Sequence, residues 1–127
     1  MFSVTPDHTA SRLDIRVEGC MTRADWMAVG DLVLFESMRL GLRWLAMFDA
    51  RGLALMTPDT LESLRELNEV LLVAGAERIA MVTDADAVAK QLSRVAVSAG
   101  TGPFTMAFES EQAWLDYVGA APMVQAA

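Results

Sequence analysis

Chemistry in a small chain needs a nucleophile beside a base, a pair of carboxylates, or several metal-ligating side chains brought to one place. These residue types are sparse in the 127-residue sequence. Its one histidine, His8, sits in the polar turn "PDHT" and reads as an exposed surface residue. Its one cysteine, Cys20, has no partner for an internal disulfide and reads as a small core or strand-end side chain. One Cys and one His do not make a zinc-type cluster. Asp84 and Asp86 in "TDAD" place two carboxylates after a strand, where a hard cation is one reading; capping and the helix dipole are the far commoner account of acids at a helix start. "GTGPF" has the glycines of a phosphate loop but neither its lysine nor its strand-to-helix context. The sequence therefore assigns no catalytic residue, no metal and no cofactor, and the chain reads as a non-enzyme.

One turn keeps its interest. "MFDARGL", Met47 to Leu53, follows an apolar run and precedes the helix-start signal "MTPDT". Arg51 beside a helix N-terminus could form an anion site, because free backbone N–H groups and the helix dipole favour negative charge there. Gly52 would let a ligand approach the backbone. Alternatively, Asp49 closes the turn, Gly52 supplies an unusual backbone angle and Arg51 is solvated. Thr57 and Thr60 offer hydroxyls, although Thr57 is well explained as a helix cap. Asp49, Arg51, Gly52 and Thr57 are the candidate interaction turn.

Composition narrows the partners. A formal charge of -7 with a single lysine, Lys90, and arginines scattered among acids opposes binding to nucleic acid or anionic lipid, which needs a basic footprint. The longest apolar runs, "WLAMF" and "VLLVAGA", fall well short of the ~20 residues that span a bilayer, so stable membrane insertion is not expected. The start "MFSVTPDH" lacks a basic region followed by an apolar one, and the expectation is a soluble cytoplasmic protein. At 54% hydrophobic residues the chain can bury a substantial core as one domain, residues 1–120. The apolar end "GAAPMVQAA" reads as frayed, with 121–127 a flexible tail. Nine methionines and a mean hydropathy of +0.32 are high for such a chain; Met serves cores, dimer interfaces and adaptable apolar binding surfaces alike.

The elements that must position these residues follow from periodicity. "RLDIRVEG" alternates Leu13, Ile15 and Val17 with Asp14, Arg16 and Glu18, the pattern of a strand with one wet face, and "FSVT" before it is placed to pair across the "PDHT" turn. "TRADWMAVGDLVLFESMRLG" opens with Thr22 and Asp25 at capping-box spacing and reads as a helix to Gly41. "RWLAMFD" and "RIAMVTD" are continuous apolar runs of strand length, as in strands covered on both faces. Between them, Thr57 as N-cap and Pro58 at the first helical position begin a helix carrying Leu61, Leu64, Leu67, Val70 and Leu71 at helical spacing. "DADAVAKQLSRVAVSAG" is a third helix with Val88, Leu92 and Val95 on one stripe. "FTMAF" follows as a strand with Phe104, Met106 and Phe108 on one face, and Ser110 caps a short last helix, "EQAWLDYV". The order β-β-α-β-α-β-α-β-α implies a largely parallel sheet with an antiparallel element at its start.

The first helix holds more apolar residues than one packed face needs. At 100° per residue, Trp26, Val29, Val33 and Leu40 form one sector and Met27, Leu34 and Met38 an adjoining one, while Leu32 and Phe35 fall among Asp25, Asp31, Glu36 and Arg39. The surplus lines an apolar ligand groove, packs a second protomer, or lies under another helix. Trp26, Leu34, Phe35 and Met38 are the candidate ligand-binding residues.

In this order, "MFDARGL" before the long helix, "ERIAMVTD" as the next strand and "FESEQAWLDYV" after the last strand resemble the SpoIIAA-like family. That family is related to the STAS domain of anti-sigma-factor antagonists and sulfate transporters, with a further likeness to the lipid-carrying SEC14 domain. The resemblance runs from about Leu13 to Tyr117. It implies a single-domain α/β fold with a mixed four- to five-stranded sheet and about four helices. In the antagonists the turn reads aspartate, serine, serine, glycine, and a partner kinase phosphorylates a serine. Here Asp49 and Gly52 match, but Ala50 and Arg51 stand between them and cannot accept phosphate through a hydroxyl. The expected function is a binding or regulatory module for an apolar or lipid-like small molecule; the alternative is a STAS-type protein-interaction module that uses the Asp49–Thr57 turn without phosphorylation. A protein partner and a homodimer are both compatible with the sequence.

Overall fold

In the computed structural model, which describes residues 1–120, the elements follow the expected order. They are β1 (Phe2–Asp7), β2 (Arg12–Val17), α1 (Arg23–Ser37), β3 (Trp44–Asp49), α2 (Pro58–Ala74), β4 (Ala76–Val82), α3 (Asp86–Ala99), a short 3₁₀ turn (Gly102–Phe104), β5 (Thr105–Phe108) and α4 (Glu111–Ala120). The five strands form one sheet in the order β1-β2-β3-β4-β5. β1 pairs antiparallel with β2, and β2 through β5 are parallel. The tail expected at 121–127 lies outside the described residues.

Each parallel step moves one strand in the same direction. Right-handed crossovers therefore place α1, α2 and α3 on one face of the sheet. Leu13, Ile15 and Val17 of β2, Ala46 and Phe48 of β3, and Ile79 and Met81 of β4 meet Val29, Val33, Leu64, Leu67, Leu71, Val88 and Leu92 there in the main core. On the other face, Trp114 and Val118 of α4 cover Leu45, Met47, Ala80 and Val82. Every residue of β3 is consequently buried, which is why its sequence is a continuous apolar run. α4 does not extend over β2, whose outer face carries Arg12, Asp14 and Arg16 and whose burial alternates. Burial there raises the Asp14 carboxyl above its ordinary range despite the neighbouring Arg12 guanidinium, 3.2 Å away.

Local signals hold at the helix starts. Thr22 and Asp25 close a capping box on α1, and Thr57 and Thr60 close another on α2. Ser110 Oγ accepts from Ala113 N at the start of α4. Three expectations are corrected. α1 stops at Ser37, whose hydroxyl donates to Leu34 O, and residues 38–40 form a turn before Gly41. Phe104 belongs to the 3₁₀ turn, not to β5, because Pro103 favours the turn and the buried Thr101 is held back by Asn68 and Ala96. Asp84 does not cap α3; the N-cap is Ala85, without a side-chain bond.

Gly75 shows how tightly one junction is built. It ends α2 at φ 111°, and its carbonyl accepts from Arg43 N at 2.8 Å and Trp44 N at 3.4 Å as β3 begins. A Cβ there would lie 3.0 Å from Leu42 Cδ2 and 3.2 Å from both Gly41 O and Trp44 Nε1. Gly75→Ala is expected to lose about 2 kcal/mol or more, from the left-handed backbone angle and these contacts together. Urea denaturation checks this, and an unchanged midpoint would remove the junction from the stabilising contacts.

Candidate functional site

The C-terminal ends of β2, β3 and β4 and the approach to α4 converge on the turn that follows Asp49. The chain leaves β3 through Ala50, whose N–H donates to Val82 O at 2.9 Å, so the turn is first anchored to β4. Gly52, at φ 82°, turns it back, and the Gly52 carbonyl accepts from Gly19 N at 2.9 Å. Ala54 N returns a bond to Gly19 O at 3.0 Å, tying the turn to the chain just beyond β2. Gln91 of α3 then holds Met56 at both backbone groups, accepting from its N–H and donating to its carbonyl, each at 3.0 Å. The turn is thus fixed by β2, β4 and α3 before α2 starts.

Arg51 is the electrostatic centre. Asp49 Oδ1 accepts from Arg51 N at 3.1 Å and from Arg51 Nε at 2.9 Å, while Oδ2 accepts from the guanidinium at 2.8 Å. The guanidinium also pairs with Glu111 at 3.2 Å and lies 5.7 Å from the centroid of the Trp114 ring. Burial would raise the Asp49 carboxyl, but its hydrogen bonds and charge pairing with Arg51 outweigh that and hold it below the ordinary carboxylate range. Hydrogen bonding to Asp49 raises Arg51 in turn. With both acids engaged on one guanidinium, Arg51 is not the free cation an anion site needs, and its reading as a solvated side chain is also set aside.

The sequence reading of the turn is otherwise kept: Asp49 closes it, Gly52 supplies the backbone angle and Thr57 caps α2. It missed Asp84, whose carboxylate accepts from Gly52 N at 3.1 Å, and it missed Glu111 and Gln91 as supports. Asp84 and Asp86 are exposed. Among the described residues no group of three or more His, Cys, Asp or Glu is arranged to hold a metal ion. Cys20 is exposed, at the strand end and not in the core, and His8 is exposed in its turn. No described helix is long and apolar enough to cross a membrane.

The first-helix residues do not come together as a ligand site. Trp26 is 1% exposed and stacks on Phe48 with ring centroids 6.5 Å apart, so it belongs to the core. Its place in the wheel beside Val29 and Val33 on the sheet-facing stripe is the physical reason. Leu34 and Phe35 are exposed on the outer side of the same helix, and Met38 is exposed just beyond its end. A groove of about 380 Å³ lies elsewhere, between α2 and α3, lined by Pro58, Leu61, Arg65, Gln91, Arg94 and Val95 among others.

Comparison with known proteins agrees on the fold. No family model matches the chain, and no curated protein does. Among solved structures, the anti-sigma factor antagonist SpoIIAA in its unphosphorylated form is similar at a TM-score of 0.57 and 16% identity, over 95% of this chain and 99% of that one. The Bacillus cell fate determinant SpoIIAA in its phosphorylated form is similar at a TM-score of 0.60 and 17% identity, over 93% of this chain and 99% of that one. The chain therefore has the SpoIIAA fold, a mixed five-stranded sheet with four helices in one α/β domain.

Proposed function

We propose that this chain is a non-enzymatic protein-interaction module that offers the Asp49–Thr57 turn to a protein partner in one fixed conformation. The observation that carries this reading is the pairing of Arg51 with Asp49 and Glu111, which occupies the part of the turn where the resemblance leads one to expect a phosphorylatable serine. In that likeness the turn is switched by adding charge. Here a permanent cation sits between two carboxylates, so the turn keeps its shape without modification. The Thr57 and Thr60 hydroxyls are engaged with one another and with the backbone at the start of α2, which leaves them in a structural role. Leu55, 64% exposed at the tip of this braced turn, supplies the apolar contact.

Similarity to an anti-sigma factor antagonist supports a protein as the partner class. The test is affinity capture from source cells with the wild-type chain and with Leu55→Asp, alongside phosphopeptide mapping of the purified protein. The expected result is a protein retained by the wild type and lost with Leu55→Asp at unchanged stability, with no phosphate between Asp49 and Thr60. Retention of every captured protein by Leu55→Asp, or phosphate at Thr57 or Thr60, would overturn the reading.

A further inference from the structure

The groove between α2 and α3 leads away from the turn along two helices that run the same way, since each follows a strand of the parallel part of the sheet. Gln91 of α3 sets their register by holding Met56, two residues before α2 begins. From there α2 lines the groove from Pro58 to Arg65 at spacings i, i+3, i+4 and i+7, and α3 lines it from Gln91 to Ser98 at the same spacings. Each helix thus offers one face over two turns, about 10 Å at 1.5 Å per residue. The volume, about 380 Å³, falls within the roughly 300–1,000 Å³ of small-molecule sites.

We infer that this groove binds a small organic anion with an apolar body, its carboxylate paired with Arg94. The buried Val95, the half-buried Leu61 and Pro58 supply the apolar lining. Of the charged side chains beside them, Arg65 is committed along its own helix, with Nε 3.0 Å from Glu62 Oε2 and Nη1 2.6 Å from Glu69 Oε2. Glu62 is spent in the same contact. Arg94 alone among the lining charges forms no ion pair with another described residue. Its guanidinium has the planar fork that takes a carboxylate through two hydrogen bonds, and the Ser98 hydroxyl stands one turn further on the same helix face.

The uncompensated charge selects the ligand. A cation would meet Arg94 unfavourably, and a neutral apolar molecule would leave it unused. Lys90, one turn before Arg94 on α3 and also without an ion pair to a described residue, adds to the local positive potential of a chain whose formal charge is -7. Arg94 and Leu61 touch neither Arg51 nor Leu55, so the inference stands independently of the proposed function.

Amide NMR spectra of the full chain, titrated at neutral pH with octanoate and with 2-naphthoate, test it. At least one of the two is expected to give saturable shifts centred on Leu61, Arg94, Val95 and Ser98. Acetate, which has the head without the body, and octylammonium, which has the body with the opposite charge, are expected to bind about tenfold more weakly or less. Arg94→Glu is expected to weaken the bound carboxylate about tenfold or more, while its spectrum elsewhere stays that of the wild type and shows that it is folded. No saturable shift with either carboxylate, octylammonium binding as tightly as octanoate, or Arg94→Glu binding as the wild type does would each overturn the inference. Shifts at these residues on raising the protein concentration alone would assign the groove to a second copy of the chain, and loss of a captured protein with Arg94→Glu would assign it to a protein partner; either result overturns it as well.

Discussion

Trp26→Ala is expected to remove about 3–5 kcal/mol of folding free energy, whereas Phe35→Asp on the same helix should change it by no more than about 0.5 kcal/mol. The contrast follows from where the two rings lie. Trp26 is 1% exposed, stacks on Phe48 of β3 and shares the interior with Val29 and Val33; truncation leaves a cavity the size of an indole between helix and sheet. Phe35 is 56% exposed, so a carboxylate in its place stays in water. For a small domain with a total stability of roughly 5–15 kcal/mol, the first loss takes about a fifth of it or more.

Trp26→Phe separates packing from hydrogen bonding. Trp26 Nε1 is buried without a partner among the described residues, unlike Trp44 Nε1, which donates to Ala74 O, and Trp114 Nε1, which donates to Ala80 O. Replacing Trp26 by Phe gives up ring volume but no hydrogen bond, and should cost well under half of what Ala costs. Urea midpoints at constant slope check all three variants. Similar losses for Trp26→Ala and Phe35→Asp would mean that α1 packs on the sheet through a different face.

The unequal fate of these two side chains also shows what the sequence reveals and what it hides. Trp26, Val29 and Val33 repeat at helical spacing, and the buried stripe of α1 is legible from that alone. What the period cannot show is whether a second apolar sector is covered, because cover comes from another element or another chain. Met27, Leu34, Phe35 and Met38 are therefore readable as surplus but not as exposed. The same division holds at the turn. Asp49, Gly52 and Thr57 act on neighbours within a few residues, and their backbone roles can be read locally. Glu111, Asp84 and Gln91 reach the turn only after β4, α3 and α4 have been placed, and no local signal marks them. Arg51 is misread for the same reason: its partner Glu111 lies on the other side of the sheet's last strands in sequence, so its charge looks free or solvated. α1's early stop is a finer case, since the apolar repeat runs on past Ser37 while the backbone has already loosened.

The second large effect concerns the brace itself. Asp49→Asn is expected to cost about 1.5–3 kcal/mol at neutral pH, the range for hydrogen bonds to a charged group, because the amide keeps an acceptor for Arg51 N but loses the charge that holds the guanidinium. The pH dependence gives the more discriminating readout. Arg51 holds the Asp49 carboxyl below its ordinary value of 3.8, so the folded state binds this proton less readily than the unfolded chain does. The resulting stabilisation is fully present above the unfolded value and fades as pH falls through the lower, folded one. Wild type and Asp49→Asn should therefore differ most at neutral pH, keep that difference down to about pH 4, and converge below it as Asp49 itself becomes neutral. Asp25 and Glu62 are held low by hydrogen bonds to Thr22 and Arg65, and they contribute to acid sensitivity in both proteins. The difference between the two curves cancels their contribution and leaves that of Asp49. Denaturation midpoints measured from pH 7 to pH 2.5 trace that difference. A gap that persists unchanged at the lowest pH would mean that the Asp49→Asn substitution disrupts packing and not charge, and that Arg51 does not hold the turn through the Asp49 carboxylate.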